Sequence, residues 1–436
     1  MMPYVYRTAR VPDLRVITPF SIILGLFIFS INVLLSCQTS TSGKNSRHPD
    51  STNLLIPTAA TLPTEEKKHL QSIVSGWYES VLNNSGFNGG MLVAKKGNII
   101  FEKYKGTLHH PGTDTINSET TFHIASVSKT FTAMATLKLW EEGKLNIDDE
   151  FSKYFPAFNY PGVTVRSLLS NRSGLPNYIY FMEDLGWDKS VFIKNQDVLD
   201  YLINRKAEIK NIGLPNARFT YCNTNFALLA LLIEKTSGLS YPEYLSKTFF
   251  VPLQMNHSYV YTPVDSLRLP PSYDWRGREI PINFLDQVYG DKNIYTTTHD
   301  LLNWDRGLSS RHLFKDSTLQ QAYTPYSNEK PGIKNYGLGW RMNIYPTGKK
   351  MIFHNGWWHG NNAVFIRLID EDATIIVLGN RYTNAIYKAK NIVNAFNKYF
   401  ESDEDEETEN VIPAAPPDTS LPLAKTVVKS RKHKKR

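Results

Sequence analysis

The chain has 436 residues, of which 41% are hydrophobic and 21% charged, a balance that supports a sizeable packed core and excludes an all-disordered or collagen-like chain. The formal net charge of +8 does not indicate a nucleic-acid binder, because seven of the basic residues lie between Lys425 and Arg436, and without them the balance is +1. Only two cysteines occur, Cys37 and Cys222, with no Cys/His spacing of a zinc site, so no metal or other cofactor is expected.

Arg7, Arg10 and Arg15 precede an apolar stretch, Val16 to Leu35, that ends in Leu34-Leu35-Ser36-Cys37. A basic start, an apolar run and a small residue before the cut describe a secretory signal. The Leu-x-Ser-Cys end resembles a bacterial lipobox, in which Cys37 would carry the lipid; an uncleaved membrane anchor is the alternative, since about 20 apolar residues can span a bilayer. Either places the body of the chain outside the cytoplasm, attached to a membrane of the cell envelope and facing the periplasm. Gln38 lacks an acidic retention signal, which points to the outer membrane. Nucleic acid is not an expected partner, and the sequence leaves the oligomeric state open.

Residues 38–62 are rich in Ser, Thr and Asn and read as a flexible tether. A helix is expected at about 63–84, capped by Thr64 with Glu65 and Glu66 in its first turn. Two apolar runs around Lys96-Gly97-Asn98 predict a β-hairpin over Met91–Phe101. Further helices are expected from about Ser126 to Glu142 and, wholly apolar and buried, from Asn225 to Thr236 before Gly238. Strands are predicted at Lys350–His354, Ala363–Ile369 and Ala373–Leu378, then a last helix at Asn384–Tyr399. The end of the chain, 401–436, has seven acidic residues between Glu401 and Glu409, a Pro-rich stretch and the basic terminus, and reads as a disordered tail. A membrane- or polyanion-binding role for its basic end is the alternative to a solvated terminus.

This order predicts an α/β (α+β) fold: an antiparallel sheet flanked by helices and formed by both ends of the domain 63–400, with a mainly helical lobe inserted at about 123–295 and the site between the lobes.

Three short motifs carry possible chemistry. Ser126 and Lys129 stand three apart on a helix and so share a face; a serine hydroxyl needs a nearby base, and a lysine one turn on can serve. Tyr221-Cys222-Asn223 adds a phenol able to act as general base and acid, and an amide able to hold a substrate amide. His354-Asn355-Gly356 ends a strand, with a glycine that lets a backbone approach closely. Each alone reads first as its bland alternative: a capping serine with a solvated lysine, a loop tyrosine before an asparagine cap, or an ordinary strand-end histidine. Cys222 reads as a small buried hydrophobe.

Together, in this order, the motifs resemble the β-lactamase and penicillin-binding-protein superfamily, with Tyr-x-Asn similar to its class C β-lactamase, DD-peptidase and esterase branch. Thr164–Pro176, Phe219–Asn225 and Asn293–Leu302 are similar to segments of that branch, and the likeness spans roughly 70–398. The resemblance implies catalytic roles for Ser126 as acylated nucleophile and for Lys129 and Tyr221 as carriers of its proton. It implies substrate-binding roles for Asn223, His354, Gly356 and Trp357, whose backbone N–H would join that of Ser126 in an oxyanion hole. The implied substrate is a peptide containing D-amino acids or a small ester. His-Asn-Gly in place of Lys-Thr-Gly moves the expectation away from β-lactam turnover, with a β-lactamase or a non-catalytic penicillin-binding or cell-wall sensor protein as alternatives. Trp357, Trp358 and His359 are expected to narrow one side of the cleft.

Overall fold

The computed structural model describes residues 55–401. The signal segment with Cys37, most of the tether and the tail lie outside the described residues. From Leu55 onward the expected tether is packed on the domain: Leu55 and Ile56 lean on the core, and Ala60 pairs its N–H with the Lys96 carbonyl at 3.0 Å.

The described residues form ten strands: β1 Gly89–Lys95, β2 Asn98–Lys105, β3 Phe122–His123, β4 Tyr259–Val260, β5 Ile294–Thr296, β6 Lys334–Tyr336, β7 Arg341–Ile344, β8 Lys350–Trp358, β9 Asn361–Leu368 and β10 Ala373–Gly379. Seven form one antiparallel sheet in the order β2-β1-β10-β9-β8-β7-β6, and three form a small sheet in the order β3-β5-β4. The β1–β2 hairpin turns at Lys96 and Gly97, both at positive φ (51° and 75°), as a two-residue connection of right-twisted strands requires.

The central strands are buried on both faces, which is why they read as nearly unbroken apolar runs. Successive side chains alternate between two cores. Leu92, Ala94, Ile376 and Leu378 face the helical lobe; Met91, Val93, Ile375 and Val377 face a second core with Val74, Tyr78, Ile386 and Val393. The expected sheet, built from both ends of the chain, is therefore observed.

Two helices of the lobe matter for the site. Ser128–Glu141 is buried almost throughout and packs on Asn223–Ser237, which ends at Gly238 in the left-handed conformation (φ 73°). The second helix begins two residues earlier than its apolar run, so Asn223 is its first residue.

Three local expectations need correction. Pro63, not Thr64, precedes the first helix, and no side chain caps it; Thr64 is already inside the helix Thr64–Trp77, which continues as a wider turn over Tyr78–Leu82. The last helix is a 3-10 helix over Asn384–Ala395, with the Thr383 hydroxyl accepting the Ala385 N–H. The three-stranded sheet within the lobe was not expected: strands of two or three residues carry no periodic pattern to read.

Candidate active site

The chain reaches the site through an abrupt turn. Ile124 is followed by Ala125 at φ 47°, a left-handed conformation unfavourable for a residue with a Cβ. A 3-10 turn, Ala125–Val127, then leads into the helix Ser128–Glu141. Three contacts hold this turn. The Ala125 N–H donates to His123 Nδ1 at 3.2 Å, the Ile124 N–H donates to the Ile294 carbonyl at 3.0 Å, and Gly356 of β8 presses against it.

Ser126 and Lys129 come together as their spacing predicts. Lys129 is fully buried, and its Nζ donates to Ser126 Oγ at 3.0 Å and to the Asp291 carbonyl at 2.8 Å. The Tyr221 hydroxyl donates to the same Ser126 Oγ at 2.8 Å. The Lys129 ammonium also sits 5.0 Å from the Tyr221 ring centre and 5.5 Å from that of Phe226. One serine oxygen thus has two proton-transfer groups in direct contact, the geometry that general acid–base assistance to a nucleophile demands.

The loop that carries Tyr221 is held from below by the segment Ser170–Pro176. Asn171 Oδ1 accepts the Cys222 N–H at 3.1 Å and the Asn225 amide at 3.0 Å, while Ser173 Oγ donates to Asn225 Oδ1 at 2.6 Å. Asn171 is itself at φ 55°, where asparagine is better tolerated than most residues. Asn223 is 8% exposed at the helix start, and its amide has no hydrogen-bond partner among the described residues. Cys222 is buried, its Sγ 3.4 Å from the Leu175 carbonyl, and burial pushes the thiol pKa up. It behaves as the small hydrophobe expected.

His354 is fully buried on β8. Its Nδ1 lies 2.7 Å from the Asn355 carbonyl, which makes Nδ1 the donor and leaves Nε2 as an acceptor without a partner. Burial first, and then the charges of Arg341 and Lys129, hold the imidazole well below its usual pKa, so the ring is neutral. It lies between the rings of Tyr221 and Tyr336, each 6.3 Å away. Besides Lys129, a second cation is near: Arg341 of β7, whose guanidinium stands 5.0 Å over the Tyr221 ring.

Gly356 faces the site and Trp357 the other side of the sheet, as strand alternation dictates. The Trp357 indole donates to the His359 carbonyl at 2.8 Å and lies 5.4 Å from the Tyr382 ring. Trp358 is buried, with Nε1 donating to Asp286 at 2.5 Å, and His359 Nε2 meets the same carboxylate at 3.0 Å. Each of these three side chains thus has an internal contact, and the pleat turns Trp357 away from the face that Gly356 occupies.

A cavity of about 540 Å³ adjoins Tyr221, with Leu175, Pro176, Phe181, Ile209 and Arg218 also among its walls. No cluster of three or more His, Cys, Asp or Glu able to hold a metal ion occurs among the described residues. Arg341 and Asp291 were not anticipated from sequence. Asp291 meets Lys129 through a backbone carbonyl, which has no residue-type signature, and Arg341 reaches Tyr221 only through the pairing of β7 with β8.

The β-lactamase family model matches residues 80–396. Penicillin-binding protein 4* of Bacillus subtilis (strain 168) is 31% identical over 346 residues, covering 74% of this chain and 75% of that protein. Protein flp of Staphylococcus aureus (strain NCTC 8325 / PS 47) is 28% identical over 306 residues, 66% of this chain and 59% of its own length. Among solved structures, a penicillin binding protein from Bacillus halodurans superposes with a TM-score of 0.63 at 26% identity, covering 75% of this chain and 98% of that one. The octameric penicillin-binding protein homologue from Pyrococcus abyssi gives 0.62 at 24% identity over 75% and 77% of the two chains, a likeness of fold. The matched span takes in both ends of the large sheet and the lobe between them, and on these grounds the chain belongs to the β-lactamase family of serine hydrolases, alongside the penicillin-binding proteins.

Proposed function

We propose that this chain hydrolyses an amide or ester through an acyl-enzyme on Ser126, and that its substrate is a peptide containing D-amino acids or a small ester. The observation that carries this reading is the pair of contacts on one oxygen: Lys129 Nζ at 3.0 Å and the Tyr221 hydroxyl at 2.8 Å from Ser126 Oγ. In the proposed cycle the Ser126 proton passes into the Lys129–Tyr221 pair as Oγ bonds to the substrate carbonyl carbon. The C–N or C–O bond then breaks, and the same proton goes to the leaving group. Water repeats the sequence on the acyl-enzyme and frees Ser126. Asn223, with an unengaged amide, would hold the acyl-side amide, His354 and Gly356 would line the opposite wall, and the N–H groups of Ser126 and Trp357 would receive the oxyanion; such donors are worth about 2.7–4 kcal/mol of barrier each.

The ranking of peptide or ester above β-lactam rests on the third motif, His354-Asn355-Gly356, whose histidine is neutral. We further propose that the chain is held at the envelope, facing the periplasm, through a lipid on Cys37. Loss of labelled fatty acid from a Cys37→Ser variant is the expected result, and undiminished labelling overturns that placement.

The main test is labelling of the full chain by a fluorophosphonate and by a fluorescent penicillin, with Ser126→Ala as control. Labelling of the wild type alone is expected. Equal labelling, or none, removes the acyl-enzyme reading and leaves a binding or sensor protein on the same fold. Turnover of p-nitrophenyl esters, D-Ala-D-Ala peptides and nitrocefin then separates esterase, peptidase and β-lactamase.

A further inference from the structure

Behind Ser126 lies a group of ionisable side chains that the proposed cycle does not use. Asp291 and Lys292 are 1% and 2% exposed, and Tyr178 is fully buried. Lys292 Nζ lies 3.5 Å from Asp291 Oδ2 and donates to the Tyr178 hydroxyl, which in turn donates to Asp291 Oδ2 at 3.1 Å. The Lys292 ammonium also stands 4.7 Å from the Trp358 ring centre.

A buried ion pair of this kind is weak evidence for stability, because apolar residues of similar volume fill such a space as well or better. Its connections are more informative. Asp291 supplies the carbonyl that receives Lys129 Nζ at 2.8 Å. The Tyr178 N–H donates to Thr224 Oγ1 at 2.7 Å, next to Asn223 on the helix that follows Tyr221. Trp358 lies two residues beyond Gly356 on β8 and is fixed at its other end by Asp286. One ammonium therefore sits where the elements bearing all three motifs meet. Asp286 and Asp291 oppose the tendency of burial to neutralise Lys292.

We propose that Lys292, acting with Asp291 and Tyr178, is a positioning residue for acylation: it fixes the Asp291 carbonyl and, through it, the Lys129 amine on Ser126 Oγ. This rests on Ser126 being the acylated residue. Displacing the carbonyl would leave Lys129 buried but misaligned, slowing the bond-forming step while leaving the substrate walls intact.

The experiment measures fluorophosphonate labelling of the full chain as a function of probe concentration. It yields a saturating rate and a half-saturating concentration. Tyr178→Phe removes only the hydroxyl that joins the pair. Asp291→Asn/Lys292→Met removes both charges together, so that neither is left unpaired. A fall in saturating rate of about 10-fold is expected for the first and about 10²-fold for the second, the scale of a misplaced catalytic group. The half-saturating concentration is expected to stay within about threefold, and melting by circular dichroism to stay cooperative.

Wild-type saturating rates in folded variants overturn the inference, as does a change confined to the half-saturating concentration. If the double variant does not fold, Tyr178→Phe decides alone. A wild type that does not label, or that labels equally as Ser126→Ala, fails the acyl-enzyme reading instead, so the two failures are distinguishable.

Discussion

Gly356 lies so close to Ile124 that a Cβ placed on it would be 2.3 Å from the Ile124 carbonyl oxygen and 3.1 Å from the Ala125 Cβ. The third motif thus acts on the first through backbone contact. Strand β8 can meet the turn that presents Ser126 only because nothing projects from position 356. Gly356→Ala is expected to push the strand off the turn, at about 1–3 kcal/mol, the usual cost of overpacking. The saturating rate of fluorophosphonate labelling should fall about 10²-fold. An alanine variant with wild-type labelling would mean that the strand can retreat without consequence for Ser126.

Tyr221 and Lys129 should be separable by substitution. Tyr221→Phe keeps the ring that stacks under Arg341 but deletes the hydroxyl on Ser126 Oγ. Lys129→Met keeps the buried stem and deletes the ammonium. Each is expected to lower the labelling rate by about 10²–10⁴-fold, the range of a lost general acid or base. The melting temperature of Tyr221→Phe should match wild type, since no packing is removed. Labelling kinetics and calorimetry on the same samples test both statements.

Acid should weaken the fold through its buried histidines. Burial, the largest influence, holds His123 down to about 4 from an ordinary value of 6.5, and His354 is shifted in the same direction. The unfolded chain therefore binds protons that the folded chain refuses. The stabilisation is complete above about pH 6.5 and is lost as the pH falls from there toward 4; for His123 it amounts to about 3 kcal/mol. Urea unfolding between pH 7 and 4.5 should show this loss, with a flatter profile in His123→Gln. A wild-type profile in that variant would remove His123 as the source.

A second buried pair, far from Ser126, should affect stability alone. Arg367 on β9 is 2% exposed and bonds to Asp305, to the Tyr323 hydroxyl and to Ser309 Oγ. Asp305→Ala strands that guanidinium and is expected to cost about 3–5 kcal/mol. The fraction that remains folded should label at the wild-type rate, as read by denaturation and labelling in parallel.

Much of this site was legible from residue order alone. Ser126 and Lys129 needed only helical spacing, and the central strands announced themselves as apolar runs because the sheet is covered on both faces. What escaped depends on partners distant in sequence. The direction of Trp357 and Trp358 follows from which face of β8 Gly356 must occupy, and that is set by Ile124. Arg341 reaches Tyr221 through strand pairing. Thr64 looked like a cap by residue type, but the chain enters the helix one residue earlier, at Pro63. The 3-10 winding of Asn384–Ala395 preserves an amphipathic pattern that reads as an α-helix.

The large sheet also constrains how the molecule comes into being. β1 is flanked by β2, its neighbour in sequence, and by β10, with Gly89 opposite Gly379. A ribosome must therefore release nearly the whole domain before the sheet can close, and the hairpin waits with one long edge unpaired. Contacts of such sequence separation form slowly, because the loop between them must first surrender its freedom. Strand β8, which seats Gly356 against the Ser126 turn, belongs to that same late segment. A chain cut short before residue 350 would hold the nucleophile, the lysine and the tyrosine, yet would lack the wall against which they are aligned.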